Sequence, residues 1–72
     1  MAKVDVKTEI TGNVWKIVAQ VSDDVGEDDP ILILESMKME IPVEAPRAGK
    51  VREIKVAEGQ TVQEGDTVAV ID

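Results

Sequence analysis

The chain has no cysteine and no histidine, so disulfides, thiolate chemistry and imidazole catalysis are closed to it. A usual zinc site goes with them, because such sites are built from those two residues. Phenylalanine and tyrosine are also missing, and Trp15 is the one aromatic residue, which leaves no platform for stacking nucleic-acid bases. No apolar run exceeds four residues, as in Ile31 to Leu34, and that is far too short to cross a bilayer. The stretch Met1-Ala2-Lys3-Val4-Asp5 mixes acid and base and does not read as a secretory signal. Positive charge is scarce: 8 basic residues stand against 15 acidic ones, a formal net of −7. Such a surface repels phosphate backbones and anionic headgroups, so neither nucleic acid nor membrane is an expected partner. A soluble, cytoplasmic protein is the expectation.

With 72 residues there is room for a single domain, 1–72. A domain so short buries only about 60% of the surface its unfolded chain exposes, so a deep enclosed active site is not expected. Neither a nucleophile–base pair nor a metal site can be assembled from the residues present, and the chain is therefore not expected to be an enzyme. The acids between Ser22 and Asp29 lack the spacing of a calcium-binding loop and read as a solvated loop.

What is abundant is valine and isoleucine, interrupted by turn residues at short intervals, which is the pattern of strands. Val14, Lys16 and Val18 alternate with Trp15, Ile17 and Ala19, as a half-buried strand does; Trp15 reads as a core or half-buried packing residue. Ile31 to Leu34 reads as a strand buried on both faces. Met39, Ile41, Val43 and Ala45 alternate with Glu40, Pro42, Glu44 and Pro46, and Pro46-Arg47-Ala48-Gly49 reads as the closing turn. Val51 to Val56 and Val68 to Ile71 complete the set, and no long helix is predicted.

The chain also matches itself at an offset of 37 residues, without a gap. Gly12 falls on Gly49, Val14 on Val51, Ile17 on Ile54, Val25 on Val62, Glu27 on Glu64 and Asp29 on Asp66. Ile31 falls on Val68, Ile33 on Val70, Leu34 on Ile71 and Glu35 on Asp72. Quasi-repeats at about 12–35 and 49–72 predict an all-β flattened barrel or sandwich of two four-stranded antiparallel sheets with pseudo-two-fold symmetry. The second repeat places Gly59 and Gly65 in its turns, where the first has Ser22 and Asp28. Glycine takes positive φ freely and serine does not, so the first-half loop is expected to be looser or differently turned.

Between the repeats lies Glu35-Ser36-Met37-Lys38-Met39-Glu40. Strand-like residues end at Leu34 and resume at Met39, so the chain is expected to reverse at Met37-Lys38. A two-residue hairpin normally wants Asn-Gly, Asp-Gly or Gly-X. Two long side chains there break a local rule. That break points either to a functional tip or to a longer, irregular turn with no special role.

Ser36-Met37-Lys38-Met39 resembles the attachment signature of biotinyl domains, Ala or Ser followed by Met-Lys-Met at a hairpin tip between two similar halves. The resemblance runs from about Gly12 to Asp72. It includes the Pro-x-x-Gly turn at Pro46 to Gly49 and the Val-x-Glu-Gly-Gln-x-Val-x-x-Gly-Asp pattern from Val56 to Asp66. Ser22 and Asp28 depart from the family's usual glycines. Biotin carboxyl carrier proteins of short length and free-standing biotin/lipoyl attachment proteins look most similar. What the resemblance implies is a non-catalytic carrier with biotin joined to Lys38, flanked by Met37 and Met39. The tip residues Glu35, Ser36 and Glu40 would serve recognition by a biotin protein ligase. Biotin, as carboxybiotin, would pass between biotin carboxylase and carboxyltransferase sites, and the carrier would be monomeric on its own. Lipoate on the same lysine is the alternative; lipoyl domains typically place Asp before the lysine and Ala after it, and methionine on both sides favours biotin. A further alternative is an unmodified acidic interaction module.

Overall fold

A computed structural model describes residues 3–72; Met1 and Ala2, part of the stretch read above for a signal, lie outside the described residues. Eight strands form: β1 (Val4–Lys7), β2 (Gly12–Ile17), β3 (Asp24–Val25), β4 (Pro30–Ser36), β5 (Met39–Glu44), β6 (Gly49–Ile54), β7 (Thr61–Val62) and β8 (Thr67–Ile71). All pairings are antiparallel, and no helix occurs among the described residues. One sheet runs β1-β8-β6-β3 and the other β5-β4-β2-β7. The sheets face each other across a core of Val6, Val14, Ile31, Leu32 and Leu34 together with Val43, Val51, Val68, Ala69 and Ile71, all buried. Each valine, leucine or isoleucine among them stabilises the fold by about 1.5–3 kcal/mol relative to exposure. The result is the expected flattened sandwich, 36 × 18 × 18 Å.

The 37-residue offset carries one sheet order onto the other strand by strand, and it also carries the hydrogen bonds. The Ser22 N–H donates to the Val51 carbonyl, and the Gly59 N–H donates to the Val14 carbonyl, each at 2.7 Å. The Asp28 N–H donates to the Ala45 carbonyl at 2.9 Å, and the Gly65 N–H to the Thr8 carbonyl at 2.8 Å. Thr8 is buried where Ala45 is buried in the other half. Its hydroxyl both donates to the Ile10 carbonyl and accepts from the Ile10 N–H, so burial leaves it satisfied.

Three expectations need correction. The first-half loop is not differently turned. Ser22 and Asp28 stand at φ 81° and 70°, beside 90° at both Gly59 and Gly65. The cause is the shared set of bonds: the Gln20 N–H is held by Asp23 Oδ2 as the Ala57 N–H is held by Gln60 Oε1. Likewise Asp29 holds the Gly26 N–H and Asp66 the Gln63 N–H. Trp15 is not in the core; it sits at a bulge between Val14 and Lys16 and is 48% exposed. Within the run Ile31 to Leu34, Ile33 is only half-buried, because it shares the outer face of its sheet with its cross-strand partners Lys16 and Pro42, both exposed. Pro42 itself lies where its missing N–H costs no ladder bond within the sheet interior.

Candidate functional site

β4 and β5 are joined with no spare residue. Ser36 pairs with Met39, Glu35 with Glu40, Leu34 with Ile41 and Ile33 with Pro42, so the strands are symmetric about the Met37–Lys38 bond. Met37 and Lys38 have φ of 52° and 66°, the left-handed values that a two-residue type I′ turn requires at both positions. A side chain in that region costs about 1–2 kcal/mol per residue, since Cβ crowds the following carbonyl. What imposes it is the ladder. β4 is bonded on both sides, to β5 and β2, and the register leaves only these two residues to reverse the chain.

The support beneath the turn is close. A Cβ on Gly12, at the start of β2, would stand 2.8 Å from the Glu35 carbonyl oxygen. Glycine therefore lets the β4 backbone settle onto β2 just before the tip. Sequence reading placed Gly12 in the repeat but missed this contact. Gly49, its counterpart, meets the Asp72 carbonyl in the same way, at 2.6 Å.

Beyond that support the hairpin emerges from its cover. Val43 and Ala45 are buried and Ile41 half-buried, but Met39, next on the same side, is 63% exposed and Met37 is 92% exposed. Neither methionine is therefore a core residue. Lys38 is exposed, and its Nζ enters none of the ion pairs or side-chain hydrogen bonds among the described residues. Exposure alone does not single it out, because Lys3, Lys7, Lys16, Lys50 and Lys55 are exposed too. The turn does: the others lie in or beside strands, and Lys55 reaches Glu53 at 3.7 Å.

The tip residues Glu35, Ser36 and Glu40 fall directly below. Ser36 is half-buried, while Glu35 and Glu40 are exposed and stand opposite each other across the ladder. Like charges in directly opposed positions destabilise a hairpin by a few tenths of a kcal/mol, roughly. The pair is legible from sequence once the turn is fixed at Met37–Lys38, because the register then follows by counting.

No cleft encloses the amine. A groove of about 300 Å³ runs between β1 and β5, lined in part by Asp5, Ile10, Ile41 and Pro46, and none of Met37, Lys38 or Met39 lines it. Among the described residues no cluster of acids is placed to hold a metal ion. The chemistry available here is that of a primary amine offered to another molecule.

Known proteins share this arrangement. The biotin/lipoyl family model, described as biotin-requiring enzyme, matches residues 3–71. The chain is 46% identical over 67 residues to a biotinylated protein TB7.3 homolog from Mycobacterium leprae, covering 93% of this chain and 94% of that one. It is 44% identical over 63 residues to a biotin/lipoyl attachment protein from Bacillus subtilis, covering 88% of this chain and 86% of that one. Among solved structures, urea carboxylase from Kluyveromyces lactis matches the whole chain with a TM-score of 0.95 and 42% identity, while the match spans 6% of that enzyme. A family match across nearly every residue, laid over this hairpin and these paired halves, shows that the chain belongs to the biotin/lipoyl attachment family.

Proposed function

We propose that Lys38 is the attachment residue and that the domain carries biotin between the active sites of a biotin-dependent carboxylase. The observation that carries this reading is the amine at the apex of a two-residue turn, exposed and without an ion pair among the described residues, between two exposed methionines. A biotin protein ligase supplies biotin as its adenylate. The neutral Nζ of Lys38 attacks the acyl carbon, AMP leaves, and the ammonium proton passes to a base of the ligase, since no acid or base among the described residues is bonded to the amine. One amide forms and one positive charge is lost, from −7 to −8 in formal net charge.

Met37 and Met39 give the ligase a soft apolar surface on either side of the nucleophile. Glu35, Ser36 and Glu40 add an acidic, hydrogen-bonding collar that a basic ligase cleft can read. The attached biotin accepts a carboxyl group at one enzyme and gives it up at another. The domain itself makes and breaks no substrate bond; tethering raises the effective concentration of the group at both sites. The partners are then the ligase, a biotin carboxylase and a carboxyltransferase. The carrier works as a monomer in the cytoplasm.

Intact mass after co-expression with a biotin ligase tests the reading. Wild type is expected to gain one biotinyl group, and Lys38→Arg none. A lipoyl adduct gives a different mass and would replace biotin by lipoate in this account. An unmodified wild type would leave the acidic-module reading in its place.

A further inference from the structure

The chain offers an oxidant few targets. Cysteine, histidine and tyrosine are absent, and Met37 and Met39 carry the only sulfur atoms besides that of Met1. Both stand at the tip, on either side of Lys38. Met37 is 92% exposed and Met39 63%, ahead of Val21, Trp15 and Val18 among the exposed large apolar side chains of the described residues. Access sets how fast a sulfur is oxidised, so these two are the most open targets described. Trp15, the one aromatic residue, lies on β2 and is 48% exposed.

Nothing in the fold asks for methionine at these places. Neither residue belongs to the core, and the Ser36–Met39 pair that closes the ladder is held by backbone bonds that any residue with an N–H can make. What methionine supplies is a pliant apolar surface beside the amine. Oxidation removes that property and little else. One added oxygen makes the side chain polar, chiral and a hydrogen-bond acceptor, while the ladder and the core stay as they are. The change therefore reaches whatever covers the tip and leaves the fold alone.

We propose that Met37 and Met39 form a reversible oxidation site that controls whether Lys38 can be acylated; the inference rests on the carrier reading. The oxidant is a peroxide. The sulfur lone pair attacks one peroxide oxygen and the O–O bond breaks. The sulfur loses two electrons and keeps that oxygen as a sulfoxide. The departing hydroxide takes the proton from the new S–OH group and leaves as water. In the return step two thiols of a reductase give up two electrons and two protons, the oxygen leaves as water, and a disulfide remains on the reductase. This chain has no thiol, so reduction comes from another protein. A ligase that packs an apolar surface over both methionines would have to bury two unpaired S=O groups, and it rejects the oxidised tip for that reason. An oxidised carrier is thus kept uncharged until it is repaired.

The test treats the purified, unmodified chain with hydrogen peroxide, removes the peroxide with catalase, and then adds biotin, ATP and a biotin protein ligase. Peptide mapping by mass is expected to find oxygen on Met37 before Met39, and on both before Trp15, with Met1 scored separately. The kcat/KM for charging is expected to fall about tenfold or more as the tip is oxidised. The unfolding temperature is expected to stay within about two degrees of the untreated chain. Methionine sulfoxide reductases for both epimers, with a dithiol, are expected to remove the oxygens and restore the rate. Met37→Leu with Met39→Leu, whatever its own rate, is expected to be charged equally before and after peroxide. An oxidised wild type charged as fast as the reduced one overturns the proposal. So does an equal loss in the double variant, or a loss that persists once the tip oxygens are gone, since either places the damage elsewhere. Should the double variant accept no biotin, the reductase reversal decides. A reduced wild type that takes up no biotin shows that the carrier reading itself has failed, and the oxidation proposal falls with it.

Discussion

The turn at Ser22 and the turn at Gly59 occupy the same place in the two halves and take the same backbone shape from different residues. The second uses a residue without Cβ. The first forces serine to φ 81°, and the next turn forces Asp28 to 70°. The shape therefore belongs to the hydrogen bonds that cross between the halves, and residue type only sets how much strain the shape stores. The tip follows the same rule more strongly, with two adjacent left-handed residues held by a ladder.

Substitutions can break or sharpen that comparison. The largest effect is expected where the halves are least forgiving. A Cβ on Gly49 would meet both the Asp72 oxygen and Ile71 Cγ2 at 2.6 Å, and one on Gly12 would meet the Glu35 oxygen at 2.8 Å. Gly49→Ala should cost about 3 kcal/mol by chemical denaturation and Gly12→Ala about 2, with only the second also slowing biotinylation. The reverse order would show that the support at β2 is tighter than the distances imply. Next come the turn carboxylates. Asp29→Ala and Asp66→Ala each free one backbone N–H, and each should cost about 1 kcal/mol, equally in the two halves. Placing the first-half residue in the second half, Gly59→Ser, should cost about 1 kcal/mol. The reverse change, Ser22→Gly, should stabilise by only about 0.5 kcal/mol, because glycine also loosens the unfolded chain. A destabilised Ser22→Gly would mean that the serine is not strained. The smallest effect belongs to Asp23→Gln, which installs the twin's own solution at Gln60; thermal unfolding should show a change under about 0.5 kcal/mol.

Much of this arrangement was legible before any coordinates. The long strands follow from alternation, and the sheet pairing from the 37-residue match, because equal patterns bury equal faces. Lys38 follows from the point where strand patterns stop and restart. The strands β1, β3 and β7 were missed: β3 and β7 are two residues long and carry no period, and the four residues of β1 give only one alternation, Val4-Asp5-Val6-Lys7. The shape of the first-half turns was misjudged because local preference was weighed without the crossing bonds that override it. Trp15 was read from the strand alternation as a core or half-buried residue; the bulge that turns it outward is a pairing irregularity with no signature in a single strand. The opposed pair Glu35 and Glu40 required only the register, which the turn length supplies.

The crossing bonds have one more consequence. Each half lends its turn donors to acceptors on the other: Ser22 to Val51, Gly59 to Val14, Asp28 to Ala45 and Gly65 to Thr8. A half-length peptide would leave those groups stranded unless it found a copy of itself, and its survival would then depend on dilution. Joining the halves through Met37–Lys38 frees the protein from that dependence. The covalent link that closes the pair is also the place where the amine stands, so the seam of the architecture doubles as its working end.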